Sequence, residues 1–272
     1  MIEIRAKDSD AVLLRLPADT LAGATLAGLA LPTADLAGAD LRGSDFRGAD
    51  LCKARLVGAD LRGAHLDGAD LTSADLTDAD LTGAHLSDVT FLAATFLRSR
   101  LARADALRAT FEFATLRDAA CGSASFVRAD FSHAIVVGCD FSGADLSAAT
   151  LSHSTWRQCS LAYATLAMAV LDGTCLAETD LSHAELSRAF LAAPTLAGAD
   201  LTGATLGRTV LAACADLSRA RGLEAVVHHG HSCVDLATLR AGLDTLPECF
   251  LQGAGVERDE LEALRSATAP SH

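Results

Sequence analysis

Six aspartates recur at multiples of twenty residues: Asp40, Asp60, Asp80, Asp140, Asp180 and Asp200. If twenty residues make one turn of a coil, their carboxylates line up as an acidic ribbon that would meet a basic partner. The bland reading is turn chemistry, because an Asp carboxylate readily accepts bonds from backbone N–H groups close by in sequence. The same spacing pairs His65 with His85, His133 with His153 and Cys139 with Cys159. Two imidazoles without a carboxylate or thiol make a poor metal site. Cysteines one turn apart would lie within disulfide reach at about 5 Å between Cα atoms, and they equally suit a core as small fillers. His228-His229-Gly230-His231-Ser232-Cys233 groups three imidazoles and a thiol, but four ligands do not easily converge from six consecutive residues. Nothing resembles a nucleophile–base pair, and the Gly-rich stretches lack the Lys and the strand-to-helix setting of a phosphate loop. No catalytic residue, metal or cofactor is therefore expected, and the chain is not expected to be an enzyme.

What aligns these groups is a five-residue rule that runs without insertion from Leu16 to Leu211. Every residue number in that span ending in 1 or 6 is a repeat centre, and 36 of the 40 centres are Leu or Phe. The exceptions are Ala106, Cys121, Val136 and Trp156. Two places before the centre, 27 of 40 residues are Ala. A period of five fits neither a helix, at about 3.6, nor a strand, at about 2. Residues i−2 and i both face inward on a short extended segment, and the next two must turn a corner. Gly at many second corner positions, such as Gly38, Gly43 and Gly58, suits turns with positive φ. Four sides close a coil of twenty residues, with side one centred on Leu16 and Leu36, side two on Leu21 and Leu41, side three on Leu26 and Phe46, and side four on Leu31 and Leu51; coils stack about 4.8 Å apart. Phe91, Phe96, Phe111, Phe126, Phe131 and Phe141 cluster in the middle coils beside the undersized Ala106 and Cys121, which reads as compensated core packing.

The Ala-(Asp)-Leu-x-x pattern resembles the pentapeptide repeat family. The resemblance covers about residues 14–213 and implies an all-β solenoid, a right-handed quadrilateral β-helix of about ten coils. Residues 1–13 fall outside the pattern and are expected to cap the first coil. Residues 214–272 are expected to form a small, mainly α-helical C-terminal module. Asp235 is placed as the cap of a helix over Leu236–Arg240 ended by Gly242. A second helix is expected over Glu248–Gln252 after Pro247 with Gly253 as its stop, and a third over Glu257–Arg265. This tail, with Gly222-Leu223-Glu224 and Leu246-Pro247-Glu248-Cys249-Phe250-Leu251-Gln252-Gly253, resembles the segment that follows pentapeptide repeats in some multidomain bacterial signalling proteins. An effector can come next in those; here the sequence ends at His272 and none is expected.

The formal net charge of −13 disfavours duplex DNA or an anionic membrane as a partner. No apolar run approaches the length of about 18–20 residues that crosses a bilayer, and the N-terminus lacks the apolar core of a signal peptide. A cytoplasmic location is the expectation. The charge is uneven: residues 14–89 carry 12 acidic and 6 basic residues, whereas residues 98–128 carry six Arg against three acids. Arg98, Arg100, Arg103, Arg108, Arg117 and Arg128 make a basic waist. On side four, the outward position becomes Val170, Phe190 and Val210. Stacked apolar residues facing out mark an interface, covered either by the tail folding back or by a second copy in a homodimer. Leu97, Ile135 and Val137 form a looser apolar group on side one.

Two functional readings follow. The first is a non-catalytic protein-binding scaffold or adaptor. The second, implied by the family resemblance, is a DNA-mimic rod that binds DNA gyrase or a related topoisomerase and protects or inhibits it. The acidic charge favours the second, while the basic waist, the helical tail and the uninterrupted coils count against it.

Overall fold

The computed structural model describes residues 1–9 and 11–268. Its body is built on one hydrogen-bond rule repeated coil after coil. The N–H of a repeat centre donates to the carbonyl nineteen residues on, as Leu26 to Asp45 at 2.7 Å, and Asp45 N–H returns to Ala24 at 2.9 Å. The corner closes when Ala24 N–H donates to Leu21 O at 3.0 Å. Parallel bridges therefore join residues twenty apart, from Thr25 with Asp45 up to Asp180 with Asp200. With four pentads per twenty residues, the coil has four sides, and the chain is an all-β solenoid. Ala and Leu occupy the inward places, and the column of centres is fully buried through its middle.

The corner residue in each pentad sits in the left-handed region, whatever its side chain. Gly38 has φ 65°, and 25 non-glycine residues at equivalent places lie near 46–60°, among them Lys53, Arg103 and Tyr163. The ladder bonds on both sides of the corner impose that conformation, which costs an L residue about 1–2 kcal/mol. Gly at these places removes the cost, but stacking tolerates its absence.

Most sides touch through single bridges, and longer strands form at fewer places. The strands are β1 (Ile2–Ala6), β2 (Val12–Leu16), β3 (Ala34–Asp35), β4 (Thr95–Leu97), β5 (Thr115–Arg117), β6 (Ile135–Val137), β7 (Thr155–Arg157), β8 (Phe190–Ala192), β9 (Thr205–Leu206), β10 (Val210–Ala212), β11 (Val227–His228) and β12 (Cys233–Val234). Strands β4 to β7 make a parallel sheet on side one, with Thr95, Thr115, Ile135 and Thr155 in register. Inside it, Phe91, Phe96, Phe111, Phe126, Phe131, Phe141 and Trp156 are completely buried. Phe131 stacks on Phe111 at 4.6 Å between ring centres and meets Trp156 edge-on at 5.2 Å. Large rings fill the space left by Ala106 and Cys121, as expected.

The first coil starts later than the repeat count suggests. Leu16 counts as a centre by phase but lies in β2, which pairs antiparallel with β1. Strand β1 in turn pairs antiparallel with β3 through Arg5–Asp35 and Ala6–Ala34, and buries Ile4. The hairpin uses residues that the repeat pattern assigned to a coil, so the number of full turns falls short of ten.

The other end shows the reverse. The pentad stops at Leu211, yet the coil continues with wider spacings. Asp200 bridges Arg221, Thr205 pairs with Val227, and Val210 pairs with Cys233. The offset grows from 21 to 22 to 23, one extra residue at each side. The Asp216 carboxylate accepts from the Leu196 and Ala197 N–H groups at 3.0 and 3.1 Å, replacing missing ladder bonds. Helices α1 (Leu236–Gly242), α2 (Glu248–Ala254) and α3 (Arg258–Thr268) follow. Asp235 caps α1 by accepting from Thr238 N–H at 2.8 Å. Helix α2 runs through Gly253, the expected stop, and ends at Gly255 with φ 96°. Gly253 serves packing instead: a Cβ there would lie 2.3 Å from the His228 ring. The tail helices bury Leu239, Leu243, Leu246, Phe250, Leu251 and Leu261. Residues 269–272, the last of the expected C-terminal module, lie outside the described residues.

Candidate functional site

The six aspartates do share one column on side two: Asp40, Asp60 and Asp80 bridge in succession, as do Asp180 and Asp200, and Asp140 bridges Ala120 and Ser160. Each carboxylate is already engaged. Oδ1 of Asp40, Asp60, Asp80, Asp140, Asp180 and Asp200 accepts from the backbone N–H two residues on, at 2.9–3.3 Å. Arg42 and Arg62 add two bonds each to Asp40 and Asp60. The Arg42 guanidinium holds the Asp40 carboxyl down at about 2. Asp80 faces Arg100 at 3.7 Å and Asp200 faces Arg221 at 3.9 Å. The same bond occurs on other sides, for instance from Thr72 N–H to Asp70 and from Ser132 N–H to Asp130. The column is chiefly turn chemistry, with its charge partly offset by its own arginines.

The basic waist divides in two. Arg98 and Arg108 make bidentate bonds with Asp78 and Asp88 of the preceding coil at 2.6–2.7 Å. Arg103, Arg117 and Arg128 have no carboxylate within ion-pair distance among the described residues. The belt is thus three free guanidinium groups rather than six.

Val170, Phe190 and Val210 stack in one column, with Val170 bridged to Phe190 and Phe190 paired with Val210. The tail does not fold back over them. It extends the ladder past Val210 through β12, because its backbone groups find partners on the open end of the coil, and Phe190 stays 41% exposed. Sorting the corner positions by twenties shows what flanks this column: Met168, Arg188 and Arg208, three residues that sequence reasoning passed over. Met168 is 51% exposed, and Arg188 and Arg208 are exposed with no carboxylate in reach among the described residues. On the other flank the column reads Asp172, Ala192 and Ala212, with the two alanines paired in register and Asp172 beside His153 at 4.0 Å. At Phe190 and Val210 an apolar ridge thus runs between two alanines and two free cations.

The imidazole pairs stack as their spacing requires. His65 and His85 lie 4.4 Å apart, and His133 and His153 5.4 Å apart. Phe113 extends the second stack at 5.0 Å, and Tyr163 stacks on His183 at 4.8 Å; both follow from corner positions twenty apart. No grouping of three or more metal-ligating side chains occurs among the described residues. In the 228–233 cluster the side chains diverge, with His228 edge-on to Phe250 at 5.4 Å and His231 against Gly255. Cys139 and Cys159 are buried free thiols, and hydrogen bonding to Cys139 together with burial pushes the Cys159 thiol up.

His228 is an imidazole whose neutral form the fold favours. Both ring nitrogens are buried without hydrogen-bond partners among the described residues, and burial lowers its pKa below the ordinary value of 6.5. The unfolded chain therefore binds the extra proton more readily, and stability falls as pH drops below about 6.5. The expected outcome is a lower melting temperature at pH 5.5 than at pH 7.5, with a smaller difference in His228→Leu. Equal pH dependence in the two proteins would remove this role.

Comparison with known proteins now bears on the coil. The chain matches the pentapeptide repeats model, in eight copies, across residues 21–56, 54–91, 124–155, 139–176 and 174–212. The chain belongs to the pentapeptide repeat family. Among solved structures it is similar to HetL, a pentapeptide repeat protein involved in heterocyst differentiation regulation from the cyanobacterium Nostoc sp. strain PCC 7120. That likeness is 32% identical and covers 74% of this chain and 86% of HetL, with a TM-score of 0.44. It is also similar to QnrB1, a plasmid-mediated fluoroquinolone resistance protein, at 20% identity over 81% of this chain and 96% of QnrB1, with a TM-score of 0.33. A pentapeptide repeat protein of the Arabidopsis thaliana thylakoid lumen matches at 23% identity over 55% of this chain and 69% of its own length, with a TM-score of 0.20. No curated protein sequence matches. Among the described residues, no helix of this pentapeptide repeat protein is long and apolar enough to cross a membrane.

Proposed function

We propose that this pentapeptide repeat protein is a non-catalytic binding scaffold whose partner-facing surface is the C-terminal half of side four. The observation that carries the reading is the Val170–Phe190–Val210 column, exposed at Phe190 and edged by the free Arg188 and Arg208. An apolar anchor beside unpaired guanidinium groups is the composition of an interface centre. The partner it suits is a protein that offers an apolar pocket bordered by carboxylates. Affinity capture with the wild type and Phe190→Asp tests this. The variant is expected to lose binding by about 30-fold or more, as a central anchor does. A partner retained equally by both, with unchanged elution volume and melting temperature, would overturn the proposal. A homodimer through this face would show instead as a shift in the elution volume of the wild type alone.

The gyrase reading needs the aspartate column to act as a free phosphate-like array. The backbone bonds at all six carboxylates and the arginines at four of them argue against that use. Supercoiling by DNA gyrase, with or without a quinolone, is expected to be unchanged by micromolar protein. Inhibition, or protection from the drug, would move the function to the aspartate column.

A further inference from the structure

The solenoid ends on a strand whose far edge meets α2 at Ser232, where the N–H donates to Ala254 O at 2.9 Å, and is open at Val234 among the described residues. In each coil the central residue donates its N–H to the next coil, as Leu186 does to Thr205 O at 2.8 Å. Val234 takes the central place in β12, opposite Leu211. Cys233 and Asp235 turn their N–H groups back to Thr209 and Leu211 at 2.8 and 3.1 Å. Successive N–H groups alternate sides along a strand, so that of Val234 points away from β10. Strand β12 is the last of its sheet, in the order β12-β10-β8, and among the described residues no strand follows it.

Beside this edge lies a groove of about 580 Å³ lined by Cys233, Val234, Leu236, Leu239, Val256 and Glu260, among others. Its walls are α1 and α3, and Leu236 remains 47% exposed. An open strand edge beside an apolar trough is the arrangement that recognises an extended peptide, with main-chain bonds for affinity and alternate side chains for selection. Residues 233–266 carry seven carboxylates against three arginines, so the flanks favour basic side chains.

We propose that β12 and this groove bind an extended peptide segment of a partner protein, added as one further strand. Its sequence alternates aliphatic residues, which enter the trough between α1 and α3, with Lys or Arg. This site adjoins the Phe190 column, since Cys233 pairs with Val210, but it uses the opposite edge of β12 and is tested independently of Phe190.

The test is a random dodecapeptide display library panned against the full chain, with the enriched peptides synthesised and titrated. Alternating aliphatic and basic peptides are expected. Their affinity should fall at least tenfold on Val234→Pro, which removes the outward N–H, and on N-methylation of alternate peptide residues. Leu236→Asp, at the groove wall, should do the same and serves if the proline variant does not fold, while Phe190→Asp should bind normally. Three results overturn the proposal: no enriched peptide, peptides with helical spacing that ignore these variants, or a wild-type dimer that Val234→Pro converts to monomer.

Discussion

Replacing Phe131 with alanine is expected to lower the stability of the solenoid by about 3–5 kcal/mol, the range for deleting a buried aromatic ring. Phe131 is completely buried and touches rings on four neighbours: Phe111, Phe126, Phe141 and Trp156. Ladder bonds above and below hold the backbone in register, here from Phe131 N–H to Thr150 O at 2.7 Å, so the coils cannot close over the space. Trp156 is the only tryptophan in the chain and reports on this cavity directly. Urea unfolding followed by its fluorescence should show the midpoint falling well below that of the wild type. A loss under about 1 kcal/mol would mean that the aromatic column repacks as a loose core does.

Gly222→Val is expected to detach the tail at a cost of about 2–5 kcal/mol, combining left-handed strain with overpacking. Gly222 has φ 72°, and a Cβ would lie 2.1 Å from Thr202 Oγ1 and 2.6 Å from Thr202 N. Thr202 cannot retreat, because its carbonyl accepts from His183 N–H and its N–H donates to Asp200. Positive φ alone does not set the effect, since 25 non-glycine residues adopt it in the repeat. Gly38 is the control: its φ is 65° with nothing within 4 Å of an added Cβ, so Gly38→Val should cost only about 1–2 kcal/mol. Hydrogen exchange should rise across residues 222–268 in Gly222→Val and stay unchanged in Gly38→Val. Equal behaviour of the two variants would show that the approach to Thr202 is not what holds the tail.

The aspartate column shows how a correct alignment can mislead about use. Its register was legible from spacing alone, because the coil length is a fixed multiple of the pentad. Whether the carboxylates were free was not, since that depends on a backbone N–H two residues on and on arginines such as Arg42 and Arg62 turning back to meet them. The Arg188 and Arg208 edge was equally available by counting corner positions in twenties. It sits on the corners, where the coil accepts almost any side chain, so no residue type marks it.

Residue order alone is enough for the four-sided coil, the inward Ala and Leu, the aromatic middle and the stacks of like residues. These follow from local periodicity, where each pentad has one way to hide its apolar pair. The two ends depend on long-range pairing. The N-terminal hairpin takes Leu16 from the repeat because an exposed ladder edge draws any strand that can cover it. The last coil survives with offsets of 21, 22 and 23 because stacking needs backbone bonds and a buried side chain, not a constant spacing. Those offsets erase the periodic signal, and with it any sequence-level sign that β12 ends the rod with an open edge beside a groove.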